Sequence, residues 1–354
     1  GSNATAIGAY AAVAATIATY PTAVGFNALM TLTEGLQNTA VGGHSFAYLV
    51  DGDHNTGCGY DAGYSTTGNR NTMLGHYAGL YATTTDDCIA IGKSALSGVA
   101  SPRPTGNYNI AVGNYALDAT TSGYSNVAVG HSAGTAITTG YRNVLLGVNA
   151  GLALTNNYEN VAIGAYALDA ANDAEHYNVA IGSYALSAET SGADGCVAIG
   201  SGALSLQNTA SSNNVAIGFE AAKALNGGTD SVYMGYLAGG VGAITGNENV
   251  AIGKGAALNA TSFAKSVFIG RGSGGLGVIT GSGNVCIGED SGYDLTAGAS
   301  NVLIGTNAGE NITTAGSIIA IGHGALDAAT TSAFTDGAVA IGTNAATNAT
   351  IAPN

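Results

Sequence analysis

One short phrase recurs along the whole chain and limits the folds open to it. Twenty copies align on a glycine, from Gly8 to Gly342, and most of these anchor glycines are 17 or 18 residues apart. Repeats of this kind bury their apolar faces only by stacking on their neighbours. We therefore expect one continuous repeat domain over residues 1–354 rather than several ordinary domains. The phrase occurs in full, as Asn-Val-Ala-Ile-Gly, at 160–164, 178–182, 214–218 and 249–253.

Positions counted from the anchor glycine show a strict pattern. Position −3 is Val, Ile or Thr in every copy, and position −1 is Ile, Val, Leu or Met in all copies except at Cys58. β-Branched residues two apart predict a strand with both side chains on one face. Frequent Gly and Asn, with no 3.6-residue period, argue against helices. The predicted fold class is all-β: a parallel β-solenoid (β-roll) of about twenty coils of 17–18 residues.

Coil spacing predicts the dimensions of such a solenoid. Paired strands lie about 4.8 Å apart, so twenty coils would make a rod about 95 Å long. Two repeats are longer than the others, which predicts longer loops near 97–108 and 327–337. The first of these contains Pro102 and Pro104.

The strands are apolar on both faces. We expect positions −3 and −1 to point into the coil and position −2, which is Ala in 13 copies, to point outward. A strand that is apolar on both faces is buried on both, here against another copy of the chain or against the other sheet of a flattened solenoid. Placing Thr5, Thr22 and the other threonines at −3 inside also argues against an ice-binding surface, which needs outward threonines.

Asparagine and glycine have predicted structural roles. Position −4 is Asn in 12 copies, and stacked Asn side chains can form hydrogen bonds from coil to coil. Each anchor glycine is expected to turn a corner with positive φ or to allow coils to approach closely. Representative structural residues are Asn160, Gly164, Asn178, Gly182, Asn214 and Gly218.

Tyrosines are concentrated in the middle of the chain. Five of them lie five or six residues before consecutive anchors, which predicts a ladder along one edge. An exposed ladder would suit a sugar or a protein partner, and the alternative is a stack that only holds the loops together. The candidate binding residues are Tyr108, Tyr124, Tyr141, Tyr158 and Tyr177.

Composition excludes several functions. With 8 Lys and Arg residues and a net charge of −14, the chain is a poor candidate for binding nucleic acid. No apolar run is long enough to span a membrane. The absence of an initiator Met and of a signal peptide suggests a processed product or a segment of a longer protein.

No residue pattern points to catalysis, a metal site or a cofactor. The four cysteines lie in non-adjacent copies, about 10 Å or more apart, so we expect no intrachain disulfide and four small buried hydrophobic residues. Zinc-ligand spacings and a Ser/His/Asp arrangement are absent from the sequence. The chain is therefore expected not to be an enzyme.

The Asn-Val-Ala-Ile-Gly phrase followed by x-x-Ala-Leu resembles the head domain of trimeric autotransporter adhesins (YadA-like heads), and also repeat regions of phage tail fibres. The resemblance implies a left-handed parallel β-roll, with three chains side by side and these strands facing the trimer axis. It implies an extracellular protein of a bacterial cell surface or a virion fibre. The repeat here is longer than in such heads, and a neck, a heptad stalk and a membrane anchor are missing from this sequence.

Two functions fit this interpretation. The first is a non-catalytic adhesin or fibre module that binds a host glycan or protein through its loops. The second is a structural fibre whose chains assemble end to end without a dedicated ligand.

Overall fold

The computed structural model describes residues 3–170, 175–188, 192–207, 211–240, 242–327 and 336–347. This part of the chain contains twenty three-residue strands and no helix, hence none long and apolar enough to cross a membrane. It divides into two compact units, residues 1–177 with ten strands and residues 178–354 with the other ten.

The strands of the first unit are β1 (Thr5–Ile7), β2 (Thr22–Val24), β3 (Thr39–Val41), β4 (Thr56–Cys58), β5 (Thr72–Leu74), β6 (Ile89–Ile91), β7 (Ile110–Val112), β8 (Val127–Val129), β9 (Val144–Leu146) and β10 (Val161–Ile163). Those of the second unit are β11 (Val179–Ile181), β12 (Val197–Ile199), β13 (Val215–Ile217), β14 (Val232–Met234), β15 (Val250–Ile252), β16 (Val267–Ile269), β17 (Val285–Ile287), β18 (Val302–Ile304), β19 (Ile319–Ile321) and β20 (Val339–Ile341).

Within each unit, every strand pairs in parallel with the next strand in sequence. The register follows the repeat, so that Ala23 of β2 lies opposite Ala40 of β3, and Ala198 of β12 opposite Ala216 of β13. Sequential parallel strands that are joined by one coil each make a β-solenoid, as the repeat predicted. The single continuous domain and the rod length stay predictions.

Anchor glycines end every strand, and two physical constraints explain them. All twenty have φ between +126° and +144°, a region that L side chains rarely adopt. Most of them also lie directly on the next coil: a Cβ on Gly25 would be 2.5 Å from the Gly42 carbonyl oxygen. Gly164, Gly182 and Gly218 share the same backbone conformation.

The structure reverses the expected assignment of the two strand faces. Position −2 points into the coil: Ala128 is completely buried, whereas its neighbour Val129 is 37% exposed. Thr5, the other threonines at −3 and Cys58 at −1 therefore face outward. Strict alternation puts −3 and −1 on one face, but it does not say which of two apolar faces lies inside. The width of the interior determines which face lies inside, because a narrow interior accommodates one side chain from each strand and not two β-branched ones.

The outward face carries two columns of side chains, at −3 and −1. Because the threonines at −3 face outward and not inward, their placement does not exclude an ice-binding surface. The columns are nevertheless mainly aliphatic, since −3 is Val or Ile in the fifteen copies from β6 onward. Side chains such as Ile91 and Ile163, each 37% exposed, leave an apolar sheet face only partly covered in the single chain.

Two positions that face each other across the coil, −2 and +4, fill the interior with residues of complementary size. Where position −2 is large, position +4 on the opposite side of the coil is usually glycine, as in the pairs Leu145 with Gly151 and Tyr233 with Gly239. A Cβ on Gly151 would lie 2.8 Å from Leu145 Cδ2, and one on Gly239 would lie 2.5 Å from Tyr233 Cδ1. In most other coils a small Ala at −2 faces a buried Leu, Phe or Ala. Each coil thus keeps a similar packed volume.

A ladder of buried asparagines runs along the first unit. The main-chain N–H of Asn126 donates to Asn109 Oδ1 at 3.0 Å, while its Nδ2 donates to the same oxygen at 3.2 Å and to the Gly140 carbonyl at 2.8 Å. Asn143 repeats the pattern on Asn126, and Asn160 repeats it on Asn143. Each amide therefore satisfies a buried N–H of the next coil, which would otherwise lack an acceptor.

The second unit contains a comparable ladder, in which Cys and Ser replace some of the asparagines. Cys196 N–H donates to Asn178 Oδ1 at 2.8 Å, and Ser231 N–H donates to Asn214 Oδ1 at 3.0 Å. Ser231 Oγ then accepts from the N–H of Asn249 at 3.0 Å. A hydroxyl can thus take over the acceptor role of the asparagine.

The longer repeat between β6 and β7 forms a loop over the predicted 97–108, with Gly98 lying against Pro104. The predicted loop at 327–337 falls mostly, over 328–335, outside the described residues.

The four cysteines form no disulfide bond in the described part of the chain. Cys88, Cys196 and Cys286 are buried, and burial raises the pKa of Cys88 to about 11. The prediction of a buried residue is wrong for Cys58, which is exposed because position −1 faces outward.

Candidate binding site

The five candidate tyrosines occupy two adjacent columns rather than one. Tyr124, Tyr141 and Tyr158 lie at position −6, and Tyr108 and Tyr177 lie at −5. Residues at −5 have a left-handed backbone, with φ of 61° at Tyr108 and 62° at Tyr177. Consecutive residues point in different directions, so the expected ladder of five is divided.

The −6 column forms a true stack. The rings of Tyr124 and Tyr141 have centroids 4.9 Å apart and planes within 1°, and those of Tyr141 and Tyr158 are 4.8 Å apart and within 2°. His176, which sequence reasoning did not select, extends the stack at 3.8 Å and 15°. Tyr177 meets Tyr158 edge to face at 5.3 Å. These contacts support the expectation that much of the tyrosine surface holds coils together.

At one end of the stack, one ring face has no aromatic neighbour among the described residues. Tyr141 and Tyr158 are each flanked on both sides, so a sugar ring has no access to their faces. Tyr124 has Tyr141 on one side only, and the preceding coil carries Asn107 at the equivalent position. The open face of Tyr124 is therefore directed towards Asn107.

A depression with a volume of about 320 Å³ lies at this end of the stack. The Asn107 Oδ1 accepts the N–H of Asp86 at 2.9 Å, which holds the amide in place, and its Nδ2 has no partner within the described part of the chain. Tyr108, 60% exposed, forms another wall. Two rings, an amide and hydroxyls are the groups that bind the apolar faces and hydroxyls of a saccharide. The lining residues are Thr105, Gly106, Asn107, Tyr108, Ser122 and Tyr124.

Ion pairs lie beside the stack. Arg142 Nη1 is 2.9 Å from Glu159 Oε1, and its guanidinium lies 5.8 Å from the centre of the Tyr141 ring. Glu159 raises the pKa of Arg142 above its ordinary value. Arg70 binds Asp87 through two hydrogen bonds, of 2.6 and 2.8 Å, and thereby lowers the pKa of the Asp87 carboxyl. These exposed pairs connect successive coils and bring little net charge to the depression.

A second aromatic cluster was missed by sequence reasoning. Phe26, His44, Tyr60 and His76 contact one another in order, with ring centroids 5.3, 5.6 and 5.8 Å apart. All four lie one or two positions after an anchor glycine, so aligning these positions across copies would have revealed the cluster.

The residues described by the structure contain no group of three or more His, Cys, Asp or Glu side chains placed to hold a metal ion. No protein-family model matches this chain, and a search of the curated proteins finds no match.

Proposed function

We propose that this protein is a non-catalytic, extracellular fibre or adhesin module that binds a receptor glycan through the depression between Tyr108 and Tyr124. The observation that carries the proposal is the open end of the tyrosine stack. Stacking with Tyr141 holds the Tyr124 ring rigidly, so its free face is preorganised for a ligand. The depression combines this face with polar groups, which is the usual composition of a saccharide site.

We further propose that three chains associate side by side through the outward sheet face, as left-handed β-rolls. The aliphatic columns at −3 and −1 support this, because partly exposed side chains such as Val129 and Ile163 form long apolar strips. The resemblance of the repeat to trimeric adhesin heads and to tail fibres favours three copies, and favours a bacterial surface or a virion as the location.

Binding of neutral sugars tests the receptor-binding proposal. Purified protein is screened with glucose, galactose, N-acetylglucosamine and lactose by saturation-transfer NMR, and any binder is titrated. Tyr124→Ala should weaken sugar binding about 10-fold, since stacking of a flat ligand face on an aromatic ring contributes about 1–2 kcal/mol. Tyr124→Phe should retain most of it.

A matched control is available within the chain. Tyr20 lies at position −5, like Tyr108, and is exposed without lining the depression. Tyr108→Ala should weaken binding, whereas Tyr20→Ala should not. If none of the sugars binds, or if Tyr124→Ala binds as well as the wild type, the receptor-binding proposal is wrong. End-to-end filaments in negative stain would then support the structural fibre.

A further inference from the structure

A second cavity lies in the second unit, away from the tyrosine stack. Its volume is about 260 Å³, and it spans four consecutive coils of that unit, between Tyr236 and Tyr293. Leu258 and Leu276 contribute apolar walls. The lining residues lie between positions +1 and +6 after consecutive anchor glycines, so the repeat brings them together on one side of the coils.

Glycines open this cavity. At position +2, most coils carry a side chain, and five carry a tyrosine, whereas the coils here carry Gly255 and Gly272. A Cβ on Gly255 would meet nothing within 4 Å, so the space above it is empty. Tyr293 lies close to Gly275, where a Cβ would be 2.9 Å from its Cε2. The missing side chain at Gly255 therefore leaves a concave surface with Tyr293 as an aromatic wall, while Asp290 Oδ1 occupies the space above Gly272.

Charges of both signs line the cavity, with Asp290 beside two cations. Lys254 and Arg271 line it, two of the eight Lys and Arg residues. Arg271 pairs with Glu289 and with Asp290 Oδ2, the latter at 3.2 Å. The Lys254 ammonium lies 5.8 Å from the centre of the Tyr236 ring and has no carboxylate partner among the described residues. Lys254 is thus the cation of this cavity whose ammonium has no ion-pair partner among the described residues, whereas Arg271 is shared by two carboxylates.

These groups suit one class of ligand. Lys254 can bind a carboxylate, Asp290 Oδ1 can accept hydrogen bonds from hydroxyls, and the tyrosines can pack on the apolar face of a sugar ring. We infer that this cavity binds a carboxylated saccharide unit, such as a uronic acid. The inference names a ligand class for the receptor-binding module and rests on the proposed function, but it uses a different site from the depression at Tyr124.

D-Glucuronate and D-glucose are the probes, each titrated by NMR at low and at 0.5 M salt. Glucuronate should bind more tightly than glucose at low salt, because only it carries the carboxylate. Lys254→Met keeps the length of the side chain but removes the charge, and should lower glucuronate affinity about 5-fold, to the level of glucose. Lys93→Met is the matched control, since Lys93 lies 5.3 Å from the centre of the Tyr115 ring, at the same repeat position, and does not line the cavity.

Filling the cavity gives a second test. Gly255→Tyr should abolish glucuronate binding, and the backbone accepts it because Tyr115 and Tyr166 have φ of 61° and 57° at the same repeat position. Asn149→Tyr, also at +2, is the control and should bind glucuronate normally. Equal affinity for glucuronate and glucose would overturn the inference, as would unchanged binding by Lys254→Met or Gly255→Tyr. Chemical-shift changes at the Tyr293 ring report binding in this cavity and those at the Tyr124 ring report binding in the depression, so failure at one site is distinguishable from failure at the other.

Discussion

Replacing Asn126 by alanine should reveal how much the buried asparagine ladder contributes to stability. Asn126 Oδ1 accepts the N–H of Asn143 at 3.0 Å and its Nδ2 at 3.0 Å, and Asn126 Nδ2 donates to the Gly140 carbonyl at 2.8 Å. Both asparagines are fully buried. Alanine removes these bonds and leaves the Asn143 N–H without an acceptor in a place that water does not reach.

The expected loss of stability follows from the hydrogen bonds that alanine removes. A buried N–H left without a partner costs about 1–3 kcal/mol, and each further neutral hydrogen bond contributes about 1 kcal/mol. Asn143 Nδ2 keeps its bond to the Asn157 carbonyl at 2.8 Å, which limits the loss. We expect Asn126→Ala to lower the free energy of unfolding by about 3 kcal/mol. Asn126→Ser should cost only about 1 kcal/mol, because Ser231 shows that a hydroxyl at this position accepts the next N–H.

Urea unfolding followed by circular dichroism measures these differences. Because a repeat array can unfold in parts, hydrogen exchange of the Asn143 amide supplies a local measurement. Its exchange should accelerate strongly in Asn126→Ala and only slightly in Asn126→Ser. If the alanine variant is within about 0.5 kcal/mol of the wild type, or if serine is as damaging as alanine, the acceptor at Asn126 is not what stabilises this part of the ladder.

Three further predictions address the interior, pH and assembly. Ala90→Leu should lower the free energy of unfolding by about 1–3 kcal/mol, because it overpacks the interior. In urea unfolding, the double variant with Leu96→Gly should lose less stability than the two single variants added together. Additive losses would show that the residues at −2 and +4 do not compensate for each other in size. Burial raises the pKa of Asp118 from 3.8 to about 6, so the folded state holds this proton more tightly than the unfolded state and stability falls as pH rises through 6. In parallel urea titrations, Asp118→Asn should stabilise the protein by about 1 kcal/mol at pH 7, a value reduced for the solvent screening of this half-exposed group, and by little at pH 4. An equal effect at the two pH values would contradict the raised pKa of Asp118. If the wild type sediments as the proposed trimer, Ile91→Lys on the outward sheet face should reduce its mass to that of one chain and accelerate the reaction of Cys58 with a thiol reagent. A wild-type monomer, or an unchanged mass in the variant, would argue against association through this face.

Repeat positions predicted the strands correctly, because every copy carries the same local pattern and stacking is the only way to bury it. The coil-to-coil contacts of Asn126 and of the anchor glycines were predictable for the same reason, since these residues recur at one position in successive copies. The tyrosine site was predicted only in part: spacing located Tyr124, Tyr141 and Tyr158, but it did not separate the −6 and −5 columns. That separation depends on left-handed residues such as Tyr108, which no local preference of tyrosine indicates.

The amino-acid sequence by itself determined the number of coils, their register and the glycine at each corner. These features follow from the backbone, which requires the same conformation and the same close approach in every repeat. Only the tertiary structure decided which strand face lies inside, since alternation distinguishes two faces without identifying them and both are apolar here. It also decided where rings and cavities are accessible, because the open face of Tyr124 and the space above Gly255 depend on what neighbouring coils place there.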